Sequence, residues 1–189
     1  MTCYGWLTEG SAFAKKPLLG KMSRDYVLEA LKGVEIIEKP EQLSGRKTDL
    51  VIVIREDMAT FRQKEIALLL EDAKREAQIF RAVGTDDPLA IAMNAETAVQ
   101  VMKGIETLPD LTELEKRLKK ADWSADEKME SVPFPVASAS KFSAAYKEIN
   151  QRNIARHEEN GVIFLDRDRT IVESDVVIAP GVMIYPGNT

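Results

Sequence analysis

The run Leu50-Val51-Ile52-Val53-Ile54 decides the fold class of this chain. Five consecutive apolar residues, most of them β-branched, are typical of a strand covered on both faces, as in a parallel sheet. We predict a helix after this strand, with Thr60 and Gln63 as its capping box and apolar residues at helical spacing up to Ala77. A second strand is predicted over 79–83. Strand, helix and strand in succession form a βαβ unit, which predicts an α/β fold with a mostly parallel sheet.

Further elements are predicted on both sides of this unit from capping residues and apolar spacing. An acidic stretch with two prolines, 121–135, is predicted to be a linker. The other predicted elements are a helix from the N-cap Ser23 to Gly33, a strand over 34–37, a helix over 95–105 after the N-cap Asn94, a helix opened by Asp110 and Glu113, and a helix over 142–160.

The composition limits the possible partners and surroundings. The 189 residues include 26 Lys and Arg against 31 Asp and Glu, a net charge of −5, so we expect no broad basic face for nucleic acid. No apolar run approaches the ~20 residues that cross a bilayer, so no membrane partner is expected. The single cysteine, Cys3, excludes an internal disulfide and fits a reducing compartment. Together with the lack of a signal-peptide pattern, this predicts a cytoplasmic protein.

The last part of the chain has apolar residues six positions apart, with Pro-Gly pairs between them. This period is typical of a hexapeptide β-helix. Because one coil cannot bury its own inner side chains, either the chain continues in a longer parent or a partner supplies further coils. The apolar residues are Val172, Ile178 and Ile184 in one series and Val176 and Val182 in the other, and the Pro-Gly pairs are 180–181 and 186–187.

The segment 148–162, followed by 166–189, resembles a junction in the family of bifunctional N-acetylglucosamine-1-phosphate uridyltransferase/glucosamine-1-phosphate acetyltransferases. There a long helix joins a nucleotidyltransferase domain to a left-handed β-helix. The resemblance implies three parts in this chain. They are a shortened, Rossmann-like nucleotidyltransferase domain over 1–135, a linker helix over 136–161 and the start of the left-handed β-helix over 162–189.

The segment 7–17 is similar to the nucleotide loop of that family. Gly10 stands in the place of its first glycine, which makes Gly10 a candidate nucleotide-binding residue. Lys15 or Lys16 stands for its lysine, so both are candidate catalytic residues. The second glycine and the arginine of the family's loop are absent from this chain. In the family, the glycines let backbone N–H groups close on the phosphates, and the arginine stabilises the charge on the leaving pyrophosphate.

Two further segments resemble the site of the same family. Residues 41–45 are similar to the loop that reads uracil, which makes Gln42 and Gly45 candidate nucleotide-binding residues. The resemblance also makes Asp57, after the strand at 50–54, and Asn94 candidate ligands of Mg²⁺. Carboxylate and amide oxygens are ligands that suit this hard cation.

The function implied by the resemblance is uridylyl transfer from UTP to N-acetylglucosamine 1-phosphate, with Mg²⁺ as cofactor and release of pyrophosphate. Acetyl transfer is not expected, because later coils would have to supply it. A homo-oligomer is expected, a trimer if the β-helix is completed. Asp57, Gln42 and Lys16 favour the enzyme. The missing loop residues favour a non-catalytic relative that acts as an oligomerisation or interaction module. A third alternative is a regulator that binds sugar nucleotides.

Overall fold

The computed structural model describes residues 1–43, 45–81, 86–128 and 133–187, and for 124–128 the backbone only. Within these ranges the chain forms eight strands, five α-helices and two short 3-10 helices, Ala12–Lys15 and Pro40–Gln42. The strands and α-helices are β1 (Cys3–Thr8), α1 (Ser23–Ala30), β2 (Glu35–Ile36), β3 (Leu50–Arg55), α2 (Gln63–Asp72), β4 (Ala77–Arg81), β5 (Pro88–Asn94), α3 (Ala95–Val101), α4 (Leu111–Ala121), β6 (Ser124–Lys128), α5 (Ala139–Glu159), β7 (Ile163–Phe164) and β8 (Met183–Ile184).

Six strands form one sheet in the order β2-β1-β3-β5-β4-β6. Neighbours are parallel except at β5, which is antiparallel to both β3 and β4. The predicted α/β class with a mostly parallel sheet is therefore confirmed. The two strands of the predicted βαβ unit, β3 and β4, are not neighbours, because β5 lies between them.

The alternating side chains of β3 build the core on both faces of the sheet. Val51 and Val53 belong to a cluster with residues of α3 and α4, whereas Ile52 and Ile54 pack with residues of α1 and α2. All four side chains are fully buried. A strand covered on both faces explains the unbroken apolar run from which it was predicted. The result is a sheet between two helical layers.

Two predicted helix starts differ from the structure. Ser23 is the first residue of α1 and not its N-cap, because the N–H of Met22 donates to Asp25 Oδ2 at 2.9 Å and places the cap one residue earlier. Thr60 does not cap α2 either. Arg62 is the N-cap, and its N–H donates to Glu65 Oε2 at 2.8 Å.

Helices α3 and α4 begin where they were predicted, whereas α5 begins three residues before the predicted 142 and ends as predicted, with Asn160 as its C-cap. Asn94 and Asp110 are N-caps, accepting the N–H groups of Thr97 and Glu113 at 2.8 Å. The end predicted for α2 was wrong, because the helix stops at Asp72 and Ala77 already belongs to β4. Part of the predicted linker, 124–128, is the edge strand β6. Predictions for Ser44, 82–83, 129–132 and 188–189 lie outside the described residues.

The longest helix, α5, packs on the sheet domain. Ala145 and Ile149 lie in an apolar cluster with Leu18, Tyr26 and Val136, which come from the loop after β1, from α1 and from the segment before α5. None of the helices in the described ranges is both long and apolar enough to span a membrane. The division at residues 135 and 161 stays a prediction.

Two buried asparagines of α5 hold the tail. Asn150 donates to the carbonyl of Thr170 and accepts the N–H of Val172, both at 2.8 Å. Asn153 donates to the carbonyl of Val172 at 2.8 Å and to Ser174 Oγ at 3.1 Å. These amide side chains form hydrogen bonds with the backbone of 170–174, as a neighbouring strand would do in a sheet.

The tail also contains one short parallel ladder. β7 pairs with β8, with Ile163 opposite Met183 and Phe164 opposite Ile184. Of the first predicted hexapeptide series, Val172 is buried and Ile178 and Ile184 are partly buried. Two strands of two residues do not establish a β-helix, so the coil stays a prediction.

Candidate functional site

A cavity of about 430 Å³ lies at the carboxyl ends of β1 and β2. Its lining comes from residues 6–9, residues 36–38, residues 108–110 and Arg24 at the start of α1. Sheets of α/β proteins bind ligands beyond the carboxyl ends of their strands, since the loops there are free to vary. The volume lies in the range of ~300–1,000 Å³ that is usual for small-molecule sites.

Trp6 forms a fixed apolar wall of this cavity. The residue is 2% exposed, and its Nε1–H donates to the carbonyl of Pro109 at 3.0 Å. The hydrogen bond joins β1 to the loop before α4. The rest of the apolar lining is formed by Leu7, Ile36, Ile37, Leu108 and Pro109, and such a lining suits a planar ring.

The polar lining is mostly acidic. Glu9, Glu38 and Asp110 contribute carboxylates, and Arg24 contributes the one cation among the described lining residues. Asp110 Oδ1 already accepts the N–H of Glu113, at 2.8 Å. Carboxylates accept N–H and O–H donors, whereas Arg24 can bind an anionic group. The cavity is therefore suited to a ligand with an apolar ring, several donors and one anionic end.

Next to the cavity, the carboxylate of Asp57 ties the loop after β1 to the end of β3. Arg55 donates Nε to Asp57 Oδ1 at 3.0 Å and Nη2 to Asp57 Oδ2 at 2.7 Å. Asp57 Oδ2 also accepts the backbone N–H of Ser11 at 3.0 Å. The Asp57 side chain is fully buried. Three charge-assisted hydrogen bonds make such burial tolerable.

As arranged, Asp57 does not fit a magnesium site. Both carboxylate oxygens are engaged, the nearest charged partner is the cation Arg55, and the side chain has no exposed surface. No group of three or more acidic, histidine or cysteine side chains that could hold a metal occurs in the part of the chain that the structure describes. The magnesium prediction thus has no support from this geometry.

The structure does not bring Asp57 and Asn94 together. Asn94 is opposite Leu50, at the start of β3, whereas Asp57 follows its end. A strand of six residues separates them by roughly 20 Å. One ion cannot bind both side chains, so the predicted ligand pair needs correction. Asn94 Oδ1 instead accepts the N–H of Thr97 and caps α3.

The two predicted catalytic lysines lie outside the cavity lining. Lys15 is largely exposed, and its Nζ is 3.8 Å from Oε1 of Glu9, a lining residue, so it stands at the cavity rim. The Nζ of Lys16 is 5.0 Å from the ring centre of Phe13. Of the two, Lys15 is better placed to reach a ligand.

The predicted uracil loop supports the cavity from outside. Gln42 Oε1 accepts the N–H groups of Glu38 at 2.7 Å and Lys39 at 2.8 Å, which fixes the backbone at the lining residue Glu38. Gln42 therefore acts as a positioning residue in this structure. Gly45 has a φ of +66°, which favours glycine, and does not line the cavity.

The close contact between residue 10 and Asp57 requires a glycine at position 10. A Cβ at this position would come within 2.8 Å of Asp57 Cβ and 2.9 Å of the Asp57 backbone nitrogen. The loop can approach Asp57 only because residue 10 has no side chain. Gly10 was predicted as a nucleotide-binding residue, and that role stays a prediction.

Four important residues escaped the sequence analysis: Trp6, Ser11, Arg24 and Arg55. For Arg24 a signal was available, because a cation in the first turn of a helix is unfavourable locally and needs another reason. For Arg55 the signal was its spacing, since a guanidinium two residues before a carboxylate at a strand end can fold back on it. Trp6 and Ser11 gave no local signal, because their partners Pro109 and Asp57 are distant in sequence.

The comparisons with solved structures concern the fold. A CMP:2-keto-3-deoxy-manno-octonic acid synthetase complexed with CTP matches with a TM-score of 0.56 and 11% identity, over 80% of this chain and 100% of that one. The 2-C-methyl-D-erythritol 4-phosphate cytidylyltransferase from Thermus thermophilus has a TM-score of 0.55 and 13% identity, over 80% and 100%. A 4-diphosphocytidyl-2C-methyl-D-erythritol synthase has 0.58 and 9%, over 78% and 98%.

No protein-family model matches the sequence, and no curated protein matches it significantly. At identities of 13% and below, the structural likeness shows the fold alone. That fold is a Rossmann-like α/β fold, shared with these solved structures, and the cavity lies where such sheets bind their ligands.

We predict that Gly10→Ala destabilises the protein. The new methyl group overlaps Asp57, so the loop must leave it and the Ser11 hydrogen bond is lost, at a cost of about 2 kcal/mol in the free energy of unfolding. Urea denaturation followed by circular dichroism measures this cost. Glu9→Ala in the same loop is the control and should change stability little, because Glu9 is exposed. Equal stabilities of the two variants would contradict the close contact.

Proposed function

We propose that this protein binds a nucleotide in the cavity at the ends of β1 and β2 and transfers its nucleotidyl group to a sugar 1-phosphate. The observation that carries the proposal is the position of the cavity. It is formed by the start of the predicted nucleotide loop, residues 7–9, in a fold shared with cytidylyltransferases. A nucleotide offers the combination that the lining suits, namely a flat ring, hydroxyl and N–H donors, and an anionic end.

The lining suggests how the nucleotide would lie. The base packs against the apolar wall of Trp6, Ile36 and Leu108, and its N–H groups and the ribose hydroxyls donate to Glu9 and Glu38. The phosphates point towards Arg24. The exposed side chain of Lys15, whose Nζ lies 3.8 Å from Glu9 Oε1, would contact the outer phosphates.

The proposed substrates are UTP and N-acetylglucosamine 1-phosphate, because the loop at 41–45 and the tail resemble the uridyltransferase family. A phosphate oxygen of the sugar phosphate attacks the α-phosphorus of the nucleotide in line. The bond from that phosphorus to the bridging oxygen breaks, and pyrophosphate leaves with the electron pair. Arg24 and Lys15 would neutralise charge during transfer. The proposal assigns no ion to Asp57.

The test is a titration of the ¹⁵N-labelled protein with UTP and with CTP. We expect the indole N–H signal of Trp6 to shift, whereas that of Trp123, which lies outside this cavity, stays in place. Arg24→Gln should weaken binding about tenfold, because it removes the lining cation. Lys32→Gln, which removes an exposed charge elsewhere, is the control.

A release assay then separates enzyme from regulator. Pyrophosphate formation that requires the sugar phosphate supports transfer, whereas binding of UDP-sugar without release supports the regulator. If millimolar UTP and CTP leave the Trp6 signal unchanged, the nucleotide site is refuted.

The exposed apolar residues of the tail favour a second function, the oligomerisation module. Val177 is 92% exposed, and Tyr185, Leu165 and Ile163 are each about half exposed or more. Isolated exposed apolar residues are ordinary, but several on one short segment mark an interaction surface. We propose a second copy of this chain as the occupant, because the repeated six-residue spacing lets the same tail pack against itself, and the free edges of the β7–β8 ladder can pair.

For this second function, Val177→Asp should shift the protein towards the monomer, because a charge at the interface must be desolvated on association. Light scattering after size exclusion measures the molar mass. The matched control is Glu173→Gln on the same segment, which should leave the mass unchanged. A monomeric wild type at high protein concentration would rule out self-association.

A further inference from the structure

A second cavity, of about 230 Å³, lies where α1, the loop before α2, helix α5 and the tail meet. It shares no lining residue with the first cavity. Its lining comes from α1 and the loop before it, from residues 59–63, from α5 and from Ser174 of the tail. Its polar lining includes Lys21, Arg62, Arg152, Arg156, Tyr26 and Ser174.

The lining carries more positive than negative charge. Lys21 pairs with Glu29, which also lines the cavity. Arg62 and Arg152 share a single carboxylate, that of Glu148, which lies 3.2 Å from Arg62 Nη2. Two guanidinium groups on one carboxylate leave a net positive charge beside the cavity.

Arg156 adds a further cation. Its Nη2 donates to the carbonyl of Ser174 at 3.1 Å, and no carboxylate within the described ranges forms an ion pair with it. Arg156 is on the exposed side of α5, one turn after Arg152. The spacing of four residues places both guanidinium groups on one helix face, towards the same cavity.

Arg152 has a buried donor without a partner. Its Nη2 donates to the carbonyl of Thr60 at 2.5 Å and to Glu148, so the guanidinium plane is fixed. Its Nε is buried and has no hydrogen-bond partner among the described residues. A buried N–H without a partner is destabilising, and an acceptor in the cavity would relieve that cost.

The opposite wall supplies neutral hydroxyl groups. Tyr26 Oη lies 2.5 Å from Ser174 Oγ and 2.7 Å from the carbonyl of Leu18. Burial raises the pKa of Tyr26 above its ordinary value, so this phenol is not a competing anion. The N–H of Ser174 donates to the carbonyl of Leu19 at 3.1 Å, which fixes the wall between the sheet domain and the tail.

We propose that this second cavity is a binding site for a small phosphate anion, held by Arg62, Arg152 and Arg156. Guanidinium groups bind phosphate oxygens through paired, charge-assisted hydrogen bonds, and they are the usual choice for this ligand. The cavity has about half the volume of the first one, which suits inorganic phosphate, pyrophosphate or the phosphate end of a sugar phosphate.

An anion here would join parts of the chain that are distant in sequence. Arg62 belongs to the loop before α2, Arg156 to α5, and the contact of Arg156 with Ser174 extends to the tail. Binding therefore stabilises the junction between the sheet domain and the tail by mass action on the folded state. The site does not depend on the nucleotide proposal, since no residue is shared.

The test is isothermal titration of the full chain with inorganic phosphate, pyrophosphate and glucose 1-phosphate. We expect one site, with binding weakened about tenfold by Arg156→Gln and further by adding Arg62→Gln, since each removes one charge-assisted contact. Arg75→Gln, which removes an exposed charge just after α2, is the matched control and should bind as the wild type does. The probe that binds most tightly identifies the source of the phosphate.

A second measurement needs no variant. The Arg152 Nε–H signal of the ¹⁵N-labelled wild type should shift when the anion is added. The proposal is overturned if no probe binds at millimolar concentration, or if Arg24→Gln in the first cavity removes binding while Arg156→Gln does not. If no phosphate probe binds, the titration with UTP can still show binding in the first cavity. Failure of this site is therefore distinguishable from failure of the nucleotide site.

Discussion

The buried ion pair of Arg55 and Asp57 is the interaction on which the candidate site depends. The carboxylate holds the loop after β1 through the Ser11 N–H, and the backbone carbonyl of Asp57 accepts the N–H of Val136 at 2.8 Å. Ser11 Oγ in turn donates to the carbonyl of Val136 at 2.7 Å. Three segments that are distant in sequence therefore meet at one residue. Removing one member of such a buried pair usually costs about 3–5 kcal/mol, because the other charge is left uncompensated.

This arrangement positions both cavities. On one side, the anchored loop places residues 7–9 along the first cavity. On the other, Thr60 accepts the N–H of Phe134 at 2.9 Å, so the segment before α5 is held again three residues after Asp57. Helix α5 then lies with Arg152 against the carbonyl of Thr60. The second cavity follows from this placement of α5, and the asparagine contacts bring the tail to it.

The sequence was sufficient for features whose signals are local. The β-branched run predicted β3, and Asn94 and Asp110 predicted two helix starts, because caps bond within three residues. The position of β5 between β3 and β4 was not predictable, since strand order depends on pairing between distant segments. Thr60 was misread as a cap for the same reason, because its partner is 74 positions away. Asp57 was found, but its ion pair with Arg55, and hence its unsuitability for a metal, became visible only in three dimensions.

Asp57 is committed to Arg55 and thereby holds the site together. A double-mutant cycle with Arg55→Ala, Asp57→Ala and the double variant tests it most directly, by urea unfolding with and without Mg²⁺. We predict a coupling energy of about 2–3 kcal/mol, since the two side chains are in direct contact, and no effect of Mg²⁺ on wild-type stability. A coupling near zero, together with a stabilisation by Mg²⁺ that Asp57→Ala abolishes, would show that the carboxylate is a metal ligand and contradict this account.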